Sequence, residues 1–410
     1  MRMKNKTSVF LLSLLLMILT GCVPSAKINR QNIAYLYKPG KFPCLQTKVY
    51  KESPESIRVY LKPIALDGSA FPIEAEFISF NLLDSYESKF VVDSALFRLL
   101  PEHFITADSS ILRFRFQPPD TGNYIMEVKL LDQLKRVQAK TFMQIDNASD
   151  LGSQNYLLMD SADQPVIDPY INPGKTLRIM FNQKISRDLF VYHYDRIFSL
   201  ALPPFVTKKL KPFDYKPDSV FKRKIEGGLS TPFRLNKNGF YYFVLDTTKK
   251  EGFTTFVFYK GYPGIITADQ MLPPLRYITV EEEFEKMKQM GQPKMAVDSF
   301  WLAITDNLER ASSAIRNFYR RVKLSNLYFS SYQEGWRTDR GMIFMIFGPP
   351  RTVNRGNIYE IWVYGEENSP AALEFEFVKI RNPFTENDYR LLRSSRYREK
   401  WYFMVNNWRR

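Results

Sequence analysis

Residues Gly335 to Pro350 read GWRTDRGMIFMIFGPP, a charged turn that runs into six consecutive apolar residues and stops at Gly348-Pro349-Pro350. Everything around this stretch depends on whether it is an active-site loop or a structural junction. Gly335 follows a helical pattern, at a place where glycine accepts a positive φ, and Trp336 is bulky enough to plug a helix-sheet junction. Thr338 and Asp339 can bond the backbone of the turn, and Asp339 can pair with Arg337, Arg340 or a helix arginine. Met342 to Phe347 has no polar alternation, which predicts a central strand covered on both faces. Consecutive prolines cannot donate to a ladder, so Gly348, Pro349 and Pro350 should end that strand. The stretch therefore reads as a junction, with Gly335, Trp336, Thr338, Asp339, Arg340, Gly348 and Pro349 as structural or partner-contact residues.

Upstream, apolar residues from Phe300 and Trp301 through Ile304, Leu308, Ala311, Ile315, Phe318, Tyr319 and Val322 recur at three and four. That period predicts one long helix over roughly 297–322. Before it, Thr279-Val280-Glu281-Glu282 has capping-box spacing and predicts a short helix to about Met290, ended by Gly291 and Pro293. Downstream, strands are expected over 358–364 and 373–380. The last third is thus an α+β unit, with one long helix against a small antiparallel sheet.

Farther upstream the pattern changes to period two. Residues 57–61, 75–80, 112–116 and 125–130 alternate apolar with polar, and Pro, Gly, Asp and Ser cluster between them. Asp120-Thr121-Gly122-Asn123-Tyr124 resembles the tyrosine corner of immunoglobulin-like sandwiches. A first sandwich is expected over 46–148. A second, over 149–278, rests on strand patterns at 176–181, 190–194, 240–245 and 254–259. Between Pro203 and Pro232 a basic stretch with Lys208, Lys209, Lys211, Lys222, Arg223 and Lys224 reads as a solvated insertion. The fold class is mainly β plus α+β: two immunoglobulin-like β-sandwiches followed by a C-terminal α+β domain over 279–410.

The first residues bear on location. Arg2, Lys4 and Lys6 precede an apolar run from Val9 to Leu19 that ends in Leu19-Thr20-Gly21-Cys22. This is the pattern of a secretory signal over 1–21 with a lipid-accepting cysteine. Cys22 is the expected lipidation site, and each buried methylene of its acyl chains contributes about 0.8 kcal/mol to membrane anchoring. Residues 22–45 read as a tether. No Asp follows Cys22 and no acidic run does, so the outer membrane, facing the periplasm, is the expected location. Cys44 is then the second of two cysteines, and an intramolecular disulfide is not expected.

The chain carries a net charge of +15, with 33 Phe and 24 Tyr. In an exported protein a basic surface suits anionic lipid heads or an acidic partner better than nucleic acid, and no nucleic-acid partner is expected. The C-terminal run interleaves Arg390, Arg393, Arg396, Arg398, Lys400, Arg409 and Arg410 with Tyr397, Trp401, Tyr402 and Trp408. Their apolar bodies are expected to close the domain. Groups for catalysis are few: two histidines, His103 and His193, lie far apart in sequence, and no H-E-x-x-H, G-x-S-x-G or S-x-x-K pattern is present. Gly174-Lys175-Thr176 resembles the end of a phosphate loop, but a strand pattern follows it, so it reads as a turn. No catalytic residue, metal or cofactor is expected.

Gly335-Trp336-Arg337-Thr338-Asp339 resembles the signature of GWxTD-domain proteins, exported and often lipid-anchored proteins of Gram-negative bacteria. Other stretches are similar to that family too: Pro274 to Thr279, Phe300-Trp301, Tyr319 to Val322 with Asn326 and Phe329, Phe347 to Pro350, and Tyr359 to Tyr364. One departure is visible. The family often continues Phe-Trp with an Arg-Asp-Pro turn, whereas Leu302-Ala303-Ile304 is expected here to run on as helix. The resemblance implies an envelope protein without an established enzymatic activity. The expected function is a non-catalytic, lipid-anchored scaffold or accessory subunit of an outer-membrane assembly or secretion machine, with protein partners. A glycan-binding lipoprotein and an envelope hydrolase are the alternatives.

Overall fold

The computed structural model describes residues 32–38, 43–65, 71, 74–105, 111–208, 213–305, 307–366, 369 and 371–409. Cys22, Lys209, Lys211 and Arg410 lie outside the described residues.

Seven strands build the first sandwich: β1 (Cys44–Ser53), β2 (Ser56–Ile64), β3 (Phe77–Leu83), β4 (Val91–Arg98), β5 (Leu112–Phe116), β6 (Asn123–Leu131) and β7 (Val137–Asp146). One sheet has the order β1-β2-β5 and the other β4-β3-β6-β7. Ile57, Val59, Leu61, Leu112 and Phe114 of the first sheet meet Ile78, Phe80, Met126 and Val128 of the second in a shared core. The alternation at 112–116 appears directly as burial, because Leu112, Phe114 and Phe116 are buried and the two arginines between them exposed. Tyr124 does form a corner tie, but its hydroxyl donates to the Asp120 carboxylate at 2.7 Å rather than to backbone.

The second β unit contains β8 (Tyr156–Asp160), β9 (Tyr170–Ile171), β10 (Thr176–Phe181), β11 (Arg187–Tyr194), β12 (Ser219–Glu226), β13 (Leu229–Ser230), β14 (Phe233–Arg234), β15 (Gly239–Val244) and β16 (Phe253–Val257). Its two layers are joined into one nine-stranded sheet, because the short β13 pairs with both β10 and β12, while β8 pairs with β10 off the main path. Leu177, Ile179 and Phe181 pack across onto Leu189, Val191, Tyr241 and Phe243. Within the stretch expected as a solvated insertion, Ser219–Glu226 is the strand β12 and pairs along its length with β11. Its side chains are mostly exposed, so no apolar alternation marked it. Gly174 takes φ +84° in a turn before β10, as expected for a turn rather than a phosphate loop.

The C-terminal third holds α1 (Glu281–Gln289), α2 (Pro293–Ala303), α3 (Leu308–Phe329), α4 (Asp339–Phe347) and α5 (Arg398–Trp408), with the antiparallel sheet β17 (Thr352–Arg355), β18 (Tyr359–Tyr364), β19 (Leu373–Lys379) and β20 (Tyr389–Leu391). Three expectations are corrected here. The capping box at Thr279 does not form: Thr279 Oγ1 donates to the Leu275 carbonyl at 3.0 Å, and α1 starts after Val280 with no side-chain cap. The helix expected over 297–322 is two helices. Thr305 Oγ1 donates to the Trp301 carbonyl at 2.7 Å, and the Asn307 side chain accepts from Arg310 N at 2.8 Å to cap α3. Leu302 and Ala303 do run on as helix after the Phe-Trp pair, and the break follows at Ile304 and Thr305, without the family's Arg-Asp-Pro.

The largest correction concerns Met342–Phe347, expected as a strand and found inside the helix α4. Asp339 to Ile346 are all buried. A helix buried on every side shows no amphipathic period, so an apolar run of six cannot be told from a buried strand by periodicity alone. The stretch over 22–45 expected as a tether also differs, since its described part is packed into the core. Ile33, Ala34 and Tyr37 are buried in one cluster with Phe329, Phe344 and Trp362 of the terminal domain. Ile33 N donates to Val353 O at 2.9 Å, and Asn32 bridges to Asn354. Leu83, Ile125 and Phe142, on the outer face of the β3-β6-β7 layer, join the same cluster.

Candidate functional site

The motif begins in a single 3-10 turn, Gly335–Arg337, wedged between α3 and α4. Gly335 is not at positive φ, contrary to expectation; it is needed because a Cβ there would lie 2.0 Å from the Ser325 carbonyl oxygen. Gly341, one turn into α4, is equally confined, since a Cβ would lie 1.9 Å from Gly335 O. The backbones of three segments meet here. Asn326 on α3 clamps the turn: its Oδ1 accepts from Trp336 N at 3.2 Å, and its Nδ2 donates to Pro263 O at 3.1 Å. Trp336 is 2% exposed and meets the edge of Tyr277, with ring centroids 6.1 Å apart, while the Arg337 guanidinium lies over its indole at 4.6 Å. Arg337 is paired with Glu334, not with Asp339.

Thr338 is the N-cap of α4. Its Oγ1 accepts from Gly341 N at 3.0 Å and donates to Gly335 O at 2.7 Å, so one hydroxyl closes both the turn and the helix start. Asp339 occupies the first helical position, where a carboxylate also favours the helix dipole. Its Oδ2 accepts from Leu391 N at 2.8 Å and from Arg393 Nη1 at 3.0 Å, and its Oδ1 from Arg393 Nη2. The partner is therefore Arg393, which lies neither on a helix nor inside the motif. Arg393 also donates to Leu202 O at 3.1 Å, reaching the second β unit.

Arg340 points the opposite way. Its Nη1 donates to Glu360 Oε2 at 3.2 Å and its Nη2 to Asn387 O at 3.0 Å, with the guanidinium 4.0 Å from the Tyr389 ring centroid. Glu360 is wholly buried and is the centre of a second polar cluster. It also accepts from Arg355 Nε at 3.1 Å, Trp362 Nε1 at 2.7 Å and Tyr37 Oη at 2.7 Å. Burial alone would push its carboxyl up, but Arg355 and Arg340 beside it, with the indole and phenol donors, hold it below the usual carboxylate range. Burial pushes the Tyr37 phenol well up, so it remains a donor. Sequence reasoning missed Glu360, Arg393 and Tyr37 as members of the site. Arg393 stands in the basic, aromatic C-terminal run and Glu360 within Tyr359–Tyr364, but no local signal linked either to Asp339 or Arg340.

The far end of α4 is closed by Arg321, whose Nη1 donates to Met345 O at 2.9 Å and Ile346 O at 3.0 Å. Gly348, at φ +81°, turns the chain out of the helix, and its carbonyl accepts from Tyr364 Oη at 2.8 Å. Pro349 is exposed at the rim of a cleft of about 500 Å³ that Arg321, Leu324 and Trp408 also line.

The groups expected to be idle are engaged locally. His193 is buried, with Nε2 2.9 Å from Asn238 O, and His103 Nδ1 lies 2.9 Å from Leu100 N. Burial pushes the Cys44 thiol up to about 12, which leaves it a poor nucleophile. Among the described residues no group of three or more His, Cys, Asp or Glu side chains is arranged to hold a metal ion.

The match to a known family now has a physical counterpart. Residues 239–410 match the GWxTD domain. This part of the chain is a GWxTD domain. The match begins at Gly239, the first residue of β15, inside the second β unit. Within that range Phe384 and Tyr332 of the C-terminal part pack onto Tyr194, Phe240, Tyr242 and Phe256 on the outer face of β11, β15 and β16. No curated protein matches the chain. Among solved structures, one described as "Structural basis of neurohormone perception by the receptor tyrosine kinase Torso" is 12% identical, covers 53% of this chain and 73% of that one, and has a TM-score of 0.19. Another, described as "pT26-6p", is 9% identical, covers 74% and 79%, and has a TM-score of 0.16. At these TM-scores neither likeness informs fold or function.

Proposed function

We propose that this protein is a lipid-anchored scaffold or accessory subunit of a bacterial envelope assembly, held to the outer membrane through Cys22 and facing the periplasm, with a structural rather than catalytic GWxTD domain. The observation that carries the reading is the use of the motif's polar groups. Thr338, Asp339, Arg340 and Glu360 tie together the start of α4, the Leu391–Arg393 segment, β17, β18 and, through Tyr37, the N-terminal segment, leaving the Asp339 and Glu360 carboxylates committed to arginine partners. Such a site transmits position between domains; it offers no poised acid, base or nucleophile.

The tryptophans favour this reading over glycan binding. Trp301, Trp336, Trp362 and Trp401 are buried in the core and Trp408 is half-buried, so none is a fully exposed stacking platform. The described residues contain no helix long and apolar enough to cross a membrane. A lipid on Cys22 would supply attachment, and the chain it anchors enters the core at Asn32, against β17 of the GWxTD domain. Purification of the chain from detergent-solubilised membranes tests the proposal: a partner protein in stoichiometric amount is expected, together with loss of acyl labelling and of membrane retention in Cys22→Ser. A partner-free chain that retains its membrane association in Cys22→Ser contradicts it.

A further inference from the structure

Three helices frame the cleft at the far end of α4. Asn317, Arg320, Arg321 and Leu324 recur at three and four along α3 and so share one face of it, and Met404, Asn407 and Trp408 do the same on α5. Phe344 and Ile346 of α4 also line it. The cleft holds about 500 Å³, within the range of about 300–1,000 Å³ usual for sites that bury a small ligand. Its lining contains two arginines and no aspartate or glutamate.

Neither arginine has a carboxylate partner among the described residues. Arg320 is exposed and makes no hydrogen bond or ion pair with any of them. Arg321 is half-buried and fixed in place by the bonds from its Nη1 to Met345 O and Ile346 O, with its guanidinium 4.8 Å from the Trp408 ring centroid. Capping α4 therefore uses Nη1 alone. Nothing among the described residues accepts from Nε or Nη2, and neither atom is sealed from solvent. That free edge is the fork that meets a carboxylate with two parallel bonds. The carbonyls ending α4 would repel an anion, but they are already occupied: Ile346 O also accepts from Trp408 Nε1 at 3.2 Å, and Phe344 O from Gly348 N at 2.8 Å. Burial pushes Arg321 below the ordinary guanidinium value, and only the Tyr364 phenol opposes it.

We propose that this cleft takes the carboxyl-terminal end of a polypeptide whose last side chain is apolar. The terminal carboxylate accepts from Nε and Nη2 of Arg321, and the last side chain rests on Leu324, Phe344 and Met404. Arg320 adds a second positive charge at the mouth. Asn317 and Asn407 favour a peptide over a fatty acid of the same charge, because a side-chain amide offers the donor and the acceptor that a peptide unit needs and a hydrocarbon tail does not. The site stands apart from the motif and does not depend on the scaffold reading.

The full chain, purified in mild detergent, is titrated with fluorescein-labelled peptides that share Gly-Ser-Gly-Ser and end in Val, Ile, Leu, Met or Phe, and anisotropy is read. At least one should bind saturably with a free carboxyl end and about tenfold or more weakly as its amide, which cannot bond the fork as an anion. Arg321→Lys keeps the charge without the fork and should weaken binding about tenfold as well. Arg320→Glu, at an exposed position, should weaken it several-fold with an unchanged thermal melt. If Arg321→Lys loosens the fold, the amide and Arg320→Glu decide. Hexanoate and inorganic phosphate should displace the labelled peptide only at concentrations well above those of its unlabelled form. No binding by any of the five at about 1 mM, equal binding of acid and amide, or displacement by hexanoate or phosphate as readily as by peptide overturns the proposal. Each of these results leaves the Cys22 and partner measurements unaffected.

Discussion

Replacing Gly341 by alanine should destabilise the protein, although the rule for helices says the reverse. Alanine at an exposed interior position of a helix is favoured over glycine by about 1 kcal/mol. Gly341 lies inside α4, but its Cβ would come within 1.9 Å of Gly335 O, whereas Cβ atoms essentially never approach another heavy atom closer than 3.0 Å. The turn cannot retreat, because Gly335 is itself confined by the Ser325 carbonyl on α3. Relief therefore requires α4 and α3 to separate by about 1 Å around Trp336, and overpacking of this kind costs about 1–3 kcal/mol or more where backbone must move. Because the atom met is backbone, the upper end of about 3 kcal/mol applies, and subtracting the helix preference of about 1 kcal/mol leaves a net loss of about 2 kcal/mol. Guanidinium denaturation followed by tryptophan fluorescence measures it. Gly291→Ala is a useful contrast: Gly291 has φ +65° and open space around its Cα, so only the left-handed backbone is penalised, by about 1 kcal/mol. A Gly341→Ala variant as stable as the parent would refute the three-way backbone contact.

Other substitutions probe the polar clusters. Glu360→Gln leaves Arg340 and Arg355 buried without their carboxylate and should cost about 3–5 kcal/mol at neutral pH, read as a lower denaturation midpoint. Because the Glu360 carboxyl is held below its ordinary value, its stabilisation is complete above that ordinary value and is lost as pH falls through the depressed one. The difference between parent and Glu360→Gln should accordingly shrink in acid. Asp388 behaves oppositely: burial raises its carboxyl despite the Tyr332 hydroxyl at 3.0 Å, so its ionisation opposes folding as pH rises above the ordinary carboxylate range. Asp388→Asn should flatten that part of the stability profile measured from pH 4 to 7 by thermal melts. Tyr37→Phe removes one donor from Glu360 and should cost about 1.5–3 kcal/mol if the N-terminal segment is docked as described; an unchanged midpoint would mean that it is not.

The parts legible in the sequence were those in which burial alternates with exposure. Leu112–Phe116 and Thr176–Phe181 each bury one face, and period two reveals them. Legibility failed where an element is buried all round or not at all. Met342–Phe347 is helical inside the core, and the signal that distinguishes it from a strand lies just upstream, in Thr338 as a cap and Asp339 in the first turn. In contrast, β12 and β4 expose most of their side chains and left no apolar period. The candidate site divides the same way. Trp336, Thr338, Asp339 and Arg340 were identifiable as junction residues, but their partners were not. Arg393 lies 54 residues from Asp339, and Tyr37 lies 323 from Glu360. No local spacing links such pairs; the fold alone brings them together.

Asp339→Ala tests most directly the claim that the GWxTD motif is a joint. It strips the Leu391 amide of its acceptor and leaves Arg393, 11% exposed, without its carboxylate, a loss of about 3–5 kcal/mol. Stability and envelope function should be measured on the same variant and on a second one in which stability is restored by substitutions elsewhere. The account predicts that destabilisation and loss of function appear together and that function returns with stability. A variant as stable as the parent that has nevertheless lost its function would contradict it and make Asp339 a working group of the site.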